Sequence, residues 1–479
     1  MSKAAPNSRL VALIVASALF MELLDGTIIA VALPAMAESF ATDPVVLTIG
    51  ITSYLMTLVV VIPASGWLAD RFGTRSVFAL AIAGFTIASF LCGISETLWE
   101  FTAARIGQGA CAALMSPVGR LAVITTAKKT DLIKVIALIT WPALLAPVIG
   151  PPLGGFIAET WSWRLIFFIN VPIGLVGTFL VLRYVPNHRS DARRKFDIVG
   201  FVLSALALAS LLAGVELVTH GAAGWVVAAF LTTVGVIAGI GAIRHVGART
   251  DRLIDLSIFR VKTFATTTLH GGLLFRMTGG ALPYLLPLFF QLGFGLDAFS
   301  AGLMVLAYMF GNIAMKVITT PVMARFGFRR VLIFNGMLAG FSILACVMLE
   351  PVTPIAITAV ILFLAGCFRS MQLTCLNTLM FADIGDRQKS SATTLSAMIQ
   401  QLAIGLGVAL SAMVLNMSVW MRGGEPGSLG VFDFHIAFAA IAAIAFASIV
   451  GILFLAPTAG ADVSGHRHGD KLRDNSRPS

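Results

Sequence analysis

Charged side chains stand where the sequence is otherwise apolar, among them Glu22 and Asp25 in the stretch 11–36, Arg105 in 100–126, Arg276 in 264–290 and Arg369 in 353–379. Charge in such surroundings is costly unless paired, and where it persists inside a membrane it marks the path of an ion or a substrate. Burial raises a carboxyl pKa and a neighbouring guanidinium lowers it. A carboxyl subject to both can therefore take up and release a proton as its surroundings alternate. Their spacing puts Glu22 one helical turn before Asp25 on the same face. Arg105 lies about 7 Å inside one end of its helix, at a depth comparable with Asp25, and its charge cannot be titrated away. The expected chemistry is proton exchange at Asp25, tuned by Arg105 and shared by Glu22. A static ion pair, or an Arg105 that snorkels to its helix end, would leave the same pattern.

The second half of the chain adds cations without acids. Arg276, Lys316 and Arg369 all fall within apolar stretches, with Gln372 one turn beyond Arg369. Counting Arg105 and Arg120, and setting aside charges at the ends of the stretches, five basic residues face only Glu22 and Asp25 there, the opposite of what a cation-selective cavity needs. Arg276, Arg369, Gln372 and Gln108 are accordingly the candidate contacts for an anionic or zwitterionic small molecule. Pairing of the arginines with helix C-terminal carbonyls, and snorkelling of Lys316, are the plainer alternatives.

Composition limits what these residues can be part of. The chain has 479 residues, 58% of them hydrophobic and 12% charged, so its solvent is a bilayer. The net charge of +10 is spread over short loops and does not suggest nucleic acid as a partner. All five cysteines lie in apolar runs without metal-ligand or disulfide spacing. No phosphate loop, zinc-peptidase motif or nucleophile elbow occurs, and no loop is large enough for a catalytic domain. Neither an enzyme nor a cofactor or metal site is expected.

Stretches long enough to cross about 30 Å of hydrocarbon fall at 11–36, 47–67, 75–95, 100–126, 134–158, 165–185, 198–217, 224–243, 264–290, 299–322, 330–349, 353–379, 391–417 and 433–456. That predicts an all-α integral membrane protein with about fourteen spans. Lys3 and Arg9 before the first stretch imitate a signal peptide, but its length and its two acids favour a retained span. Of the 33 lysines and arginines, only Arg164 and Arg422 fall on the side opposite the termini, which places both termini in the cytoplasm. Basic segments at 183–195 and 244–262 bracket one hydrophobic hairpin. Arg71-Phe72-Gly73-Thr74-Arg75 after the second stretch recurs as Arg325-Phe326-Gly327-Phe328-Arg329 after the tenth. The implied organisation is a tail at 1–10, a six-helix bundle at 11–185, basic linkers and an inserted two-helix hairpin at 186–263, a second six-helix bundle at 264–456, and a disordered polar tail at 457–479.

Several motifs make this more specific. Gly66-Trp67-Leu68-Ala69-Asp70-Arg71-Phe72-Gly73-Thr74-Arg75 resembles the cytoplasmic loop signature of the major facilitator superfamily. Leu24-Asp25-Gly26-Thr27 through Ala32-Leu33-Pro34 resembles the first-span motif of the fourteen-span drug:proton antiporters of the EmrB and QacA type, with Ala30 in place of an Asn. Arg105-Ile106-Gly107-Gln108-Gly109 is similar to the R-x-x-Q-G motif of proton-coupled exporters. Ala146 to Gly155 resembles the antiporter motif, and Trp163 to Gly174, including Asn170, a stretch of the same group that packs and caps. The charges of the second half, with Leu376-Asn377-Thr378-Leu379, are similar to the MdtD subgroup. The resemblance implies a major facilitator fold and a proton-coupled efflux transporter working by alternating access in the bacterial inner membrane, with a small molecule and protons as partners and a monomer as the working unit. It also implies a conformational latch at Gly66, Asp70, Arg71, Gly73 and Arg75, and a pliable seal at Gly150, Pro151, Gly154 and Gly155. A plain solubilising turn is the alternative for the latch, a uniporter or proton symporter the alternative transporter, and a non-transporting receptor the alternative of another class.

Overall fold

In lipid every backbone N–H and C=O must find its partner within the chain, which leaves helices as the economical answer for long apolar stretches. The computed structural model describes residues 8–126, 132–189, 196–217, 222–248, 256–385, 388–425 and 427–460, and among them there are helices and no strands. The helices are α1 (Ser8–Ser39), α2 (Thr48–Phe72), α3 (Thr74–Ile94), α4 (Leu98–Thr126), α5 (Leu132–Thr160), α6 (Arg164–Tyr184), α7 (Ile198–Leu217), α8 (Ala222–Ala248), α9 (Lys262–Gly293), α10 (Ala298–Ala314), α11 (Lys316–Phe326), α12 (Phe328–Met348), α13 (Ile355–Met380), α14 (Lys389–Met421) and α15 (Val431–Leu453). With α10 and α11 as the two arms of one broken span, these are fourteen helical segments that match the fourteen expected stretches, and among the described residues twelve of them are long and apolar enough to cross a membrane.

Two departures from straight helices have local causes. The arms of the broken span meet at 46° beside Met315. There the Thr319 hydroxyl donates to the Met315 carbonyl at 2.7 Å, and Pro321 has no N–H to donate to the Val317 carbonyl of the preceding turn. Helix α9 carries widened π-type turns at Thr266–His270 and Phe289–Gly293, so it runs beyond the expected 264–290 at both ends. In the first of these, the Thr267 and Thr268 hydroxyls donate back to the carbonyls of Thr263 and Phe264.

Loops alternate between two faces. The face that carries the start of α1 and the end of α15 is called here the terminal face. On the other, the loop face, Phe40 packs against Trp163 with ring centroids 5.3 Å apart and planes inclined at 56°, and Asp43 lies against Gly427. Small residues set the helix crossings. A Cβ at Gly280 would overlap the Ile404 carbonyl, and one at Gly407 the Met277 carbonyl, so α9 and α14 cross backbone to backbone. Gly311 and Gly366 do the same for α10 and α13.

The pair α7 and α8 packs on itself through Gly214 and Gly235 and lodges Leu212 of α7 beside Leu55 of α2 and Gly405 of α14. It thus lies against the first six and the last six spans at once. Of the tail expected at 457–479, residues 461–479 lie outside the described residues, whereas 457–460 form a turn whose Gly460 sits on Phe328 and Leu379. The basic residues Arg193, Arg194 and Lys195, and Arg249 and Arg252, also lie outside the described residues.

Candidate functional site

Three helices, α1, α4 and α6, meet at one carboxylate, with α2 and α3 supporting its partners. Asp25 of α1 is 2% exposed, and Arg105 of α4 is fully buried beside it. Arg105 Nη1 donates to Asp25 Oδ2 at 2.7 Å, Gln108 Nε2 to Oδ1 at 2.8 Å, and Asn170 Nδ2 of α6 to Oδ1 at 3.0 Å. The guanidinium is itself held: its Nε donates to the Gly50 carbonyl of α2 at 3.1 Å, Nη1 also donates to Gln108 Oε1 at 2.6 Å, and its carbon lies 4.3 Å from the Tyr54 ring centroid. Asn170 donates in addition to Ser89 Oγ of α3 at 2.9 Å, which passes a bond to the Phe167 carbonyl. Close approach makes this possible, since Gly109 of α4 sits on the Tyr54 carbonyl and Gly50 lies under the Phe101 ring.

Such a pair is maintained against a large desolvation cost, so losing one partner hurts more than the pair itself helps. Breaking a buried pair costs about 3–5 kcal/mol because the survivor is an uncompensated charge. Arg105→Ala is therefore expected to lower the melting temperature of the purified protein well below that of Asp25→Asn/Arg105→Gln, in which neither charge remains. Equal melting temperatures would show that the pair contributes little.

Two residues of this cluster differ from their sequence expectation. Gln108, a candidate substrate contact, is fully buried with its amide engaged by Asp25 and Arg105. Asn170, expected to pack and cap, is a direct donor to Asp25. An asparagine inside an apolar span was the available signal, obscured by the Ile169 and Pro172 around it. Glu22 is also buried, 8% exposed, and its Oε2 has no hydrogen-bond partner among the described residues.

The small-residue run of α5 lies where the two sets of six spans meet. Gly150 and Gly154 press on Thr27 and Ile28 of α1, while a Cβ at Gly155 would overlap the Ala298 carbonyl of α10. Across the same seam, Gly302 of α10 sits on the Pro151 carbonyl. Glu159 Oε2 accepts from Phe299 N at 3.1 Å, and Gln291 Nε2 of α9 donates to the Val31 carbonyl at 2.9 Å. Asp297 caps α10, and hydrogen bonds from the Ser300 backbone and hydroxyl hold its carboxyl below the usual range. These contacts close the molecule toward the loop face. Overpacking such a crossing costs about 1–3 kcal/mol. Gly155→Val should therefore open this seam, measurable as a longer spin-label distance between Thr42 and Ser428, and an unchanged distance would contradict the assignment.

At the terminal face the turn between α2 and α3 is pinned within its own set of helices. Gly73 has φ +92° and its α-carbon faces Asn187, which excludes a side chain on both counts. Thr74 N donates to the His188 carbonyl at 3.0 Å, and Arg75 N to Asn187 Oδ1 at 3.2 Å. Gly66 has open space around it, and half-buried Asp70 has no hydrogen-bond or ion-pair partner among the described residues. Arg71 lies over the Trp67 ring at 5.7 Å, and the Trp67 ring packs at a tilt against Phe196, 4.8 Å between centroids, joining this turn to the segment that leads into α7. Gly327, at φ +74°, repeats the turn between α11 and α12.

The cations of the second half meet neutral groups. Arg276 of α9, 3% exposed, donates to Asn377 Oδ1 of α13 at 2.8 Å and to Gln400 Oε1 of α14 at 3.2 Å. Both amides are themselves exposed. Arg369 approaches the Gly279 carbonyl, one turn along α9, at 3.4 Å, and lies 5.7 Å from the Tyr308 ring centroid. Its Nε and the Tyr308 hydroxyl are buried without a hydrogen-bond partner among the described residues. Lys316 is exposed and donates to Thr374 Oγ1 at 3.2 Å. Gln372, by contrast, is fully buried between α12 and α13, bonded to the Leu332 carbonyl and to Asn335. Asn377 and Gln400 carry no sequence signal of this role, because nothing in a lone amide says which cation it will hold. No cluster of three or more potential metal ligands exists among the described residues.

Comparison with known proteins agrees with this architecture. The family model described as Major Facilitator Superfamily matches residues 15–408 and 268–474. A protein of Serratia proteamaculans (strain 568) named "Putative multidrug resistance protein MdtD" is 38% identical over 407 residues, covering 84% of each chain. Its namesake in Escherichia coli O6:H1 is 37% identical over 410 residues, covering 84% of this chain and 85% of that one. Among solved structures, an auto-inhibited POT family peptide transporter superposes with a TM-score of 0.68 at 14% identity, over 98% of this chain and 99% of that one. A D-xylose-proton symporter does so with a TM-score of 0.65 at 16% identity, over 94% and 98%. At such identities the two structures speak for the fold alone.

Proposed function

The chain belongs to the major facilitator superfamily and is a multi-pass membrane transporter of small molecules, not an enzyme, and from that premise we propose that it exports a small anionic or zwitterionic molecule in exchange for protons. The observation that carries the proposal is the Asp25 cluster: a buried carboxylate facing a permanent cation, built from helices of one half, with uncompensated cations in the other. In this reading 11–185 and 264–456 are the two bodies that rock against each other, with the hairpin within 186–263 lodged beside both. The protein works as a monomer in a bacterial inner membrane with both termini in the cytoplasm.

Orientation follows from the basic residues, so the terminal face is cytoplasmic and the closed seam at Gly155 and Gly302 faces outward. The latch residues Gly66, Asp70, Arg71, Gly73 and Arg75 then act in the opposite state, where Asp70 can meet a helix N-terminus of the second body. Substrate binds between Arg276 and Arg369. Asp25 exchanges the proton, with Arg105, Gln108 and Asn170 holding its charged form. The seal at Gly150, Pro151, Gly154 and Gly155, similar to the antiporter motif, supports export over uptake, as do the names of the relatives.

Everted membrane vesicles test this directly. With an acid lumen, vesicles holding the protein should accumulate salicylate, and nigericin should abolish the accumulation. A panel in which tetraphenylphosphonium is transported well and carboxylates are ignored would overturn the substrate class. Loss of substrate from a preloaded acid lumen, with none accumulated there, would indicate symport. Flux in liposomes containing only this protein would dispose of a receptor role.

A further inference from the structure

Asp25 is enclosed by three donors and is 2% exposed, so the route by which its proton reaches solvent is not evident from the cluster itself. Glu22 is the nearest other carboxyl along α1. It lies one turn closer to the terminal face, about 5–6 Å from Asp25 between Cβ atoms by helix geometry. Its burial is slightly less complete, and its Oε2 has no hydrogen-bond partner among the described residues. A buried carboxyl oxygen left without a donor is expensive as a permanent acceptor. It is well suited to a group that carries a proton in passing.

We propose that Glu22 is the relay through which Asp25 exchanges its proton with the space open to the terminal face, a role that rests on Asp25 being the coupling carboxylate. In the release direction the O–H bond of protonated Asp25 breaks, and its electron pair stays on the carboxylate that Arg105, Gln108 and Asn170 receive. The proton forms an O–H bond on Glu22 and then leaves to water on the terminal side, which restores the Glu22 carboxylate. Protonation runs the same steps backward. The surroundings leave Glu22 alone in this position. Of the helices against α1, α4 brings Arg105, engaged with Asp25, and Arg120, which is exposed and acts on Glu22 from the terminal side. Helix α2 brings the Tyr54 phenol, under the Arg105 guanidinium. The group that α6 brings is the neutral amide of Asn170, while its Arg164 and Arg183 stand at the ends of the helix. Helix α5 has no acidic or basic side chain between Lys134 and Glu159, Arg276 of α9 is bonded to Asn377 and Gln400, and Tyr308 of α10 lies beneath Arg369. His270 of α9 is exposed near the terminal face.

Rapid-mixing infrared spectroscopy on the purified full chain tests the relay without a substrate, by following carboxyl C=O absorption after a pH jump. The band lost in Asp25→Asn identifies the coupling carboxyl. In Glu22→Gln that band should reach the same end point about a hundredfold more slowly, the low end of what a positioned proton-transfer group contributes. Glu22→Asp, which keeps a carboxyl, should recover most of the rate and guards against a merely structural effect. An unchanged rate in Glu22→Gln, or equally slow exchange in Glu22→Asp, would overturn the relay. If instead Asp25→Asn removed no titrating band, the coupling role of Asp25 would fail and not the relay alone.

Discussion

Asp25→Asn is expected to abolish transport driven by a pH gradient while leaving exchange of substrate for substrate at equal pH. The amide keeps the size of the carboxyl and can still accept from Arg105, but it cannot carry a proton. Its own N–H₂ meets Gln108 and Asn170 donors at the position of Oδ1 or the Arg105 donor at Oδ2. Either orientation of the amide therefore faces a donor with a donor. Some stability goes with it, because Arg105 keeps its charge without a counter-ion, and this is a loss of about 3–5 kcal/mol at most. Stability and coupling can be separated. Asp25→Asn/Arg105→Gln removes both charges and should recover stability without recovering the response to pH. Gradient-driven accumulation in the single variant at the wild-type level would refute the role assigned to Asp25.

The second large effect lies across the molecule. Arg276→Met should weaken binding of an anionic substrate while making the empty protein more stable, a combination that a purely structural arginine would not give. The guanidinium is 3% exposed and its two partners are amide oxygens, so its positive charge is positioned but not cancelled. Holding an uncompensated charge in that state costs free energy that only an arriving anion offsets. Hydrogen bonds to charged groups contribute about 1.5–3 kcal/mol each, equivalent to roughly ten- to a hundredfold in Kd. Titration of salicylate by thermal shift should show both effects: a higher melting temperature without ligand and a smaller ligand-induced rise. Arg276→Lys should not restore affinity, since a point charge cannot hold Asn377 and Gln400 in the same fork. A lower melting temperature with unchanged salicylate response would identify Arg276 as a packing residue.

Much of this organisation was legible because the bilayer leaves few choices. Fourteen apolar stretches became fourteen helical segments, and the pairing of Asp25 with Arg105 followed from equal depth in their helices. What depth cannot give is rotation about each helix axis. Gln108 and Gln372 both carried the type expected of a substrate contact, yet one turns toward Asp25 and the other toward the Leu332 carbonyl. Asn170 went the other way, from a supposed cap to a donor on the central carboxylate. The break at Met315 escaped notice for a related reason. Thr319 and Pro321 are common in membrane helices, most of which they leave unbroken, so their presence does not single out this span as the bent one. Motifs behaved differently again: the small-residue run at Gly150 to Gly155 was recognisable as a close-packing seam, but its partner Gly302 has no motif of its own.

The account depends on the charge of Asp25 deciding which face of the transporter opens. Spin labels at Thr42 and Ser428, which flank the Asp43–Gly427 contact of the loop face, report that opening as a distance distribution in nanodiscs. The distribution should shift between short and long populations as pH is varied in the wild-type protein, and it should not respond to pH in Asp25→Asn. A pH-driven shift that persists in Asp25→Asn would contradict the mechanism.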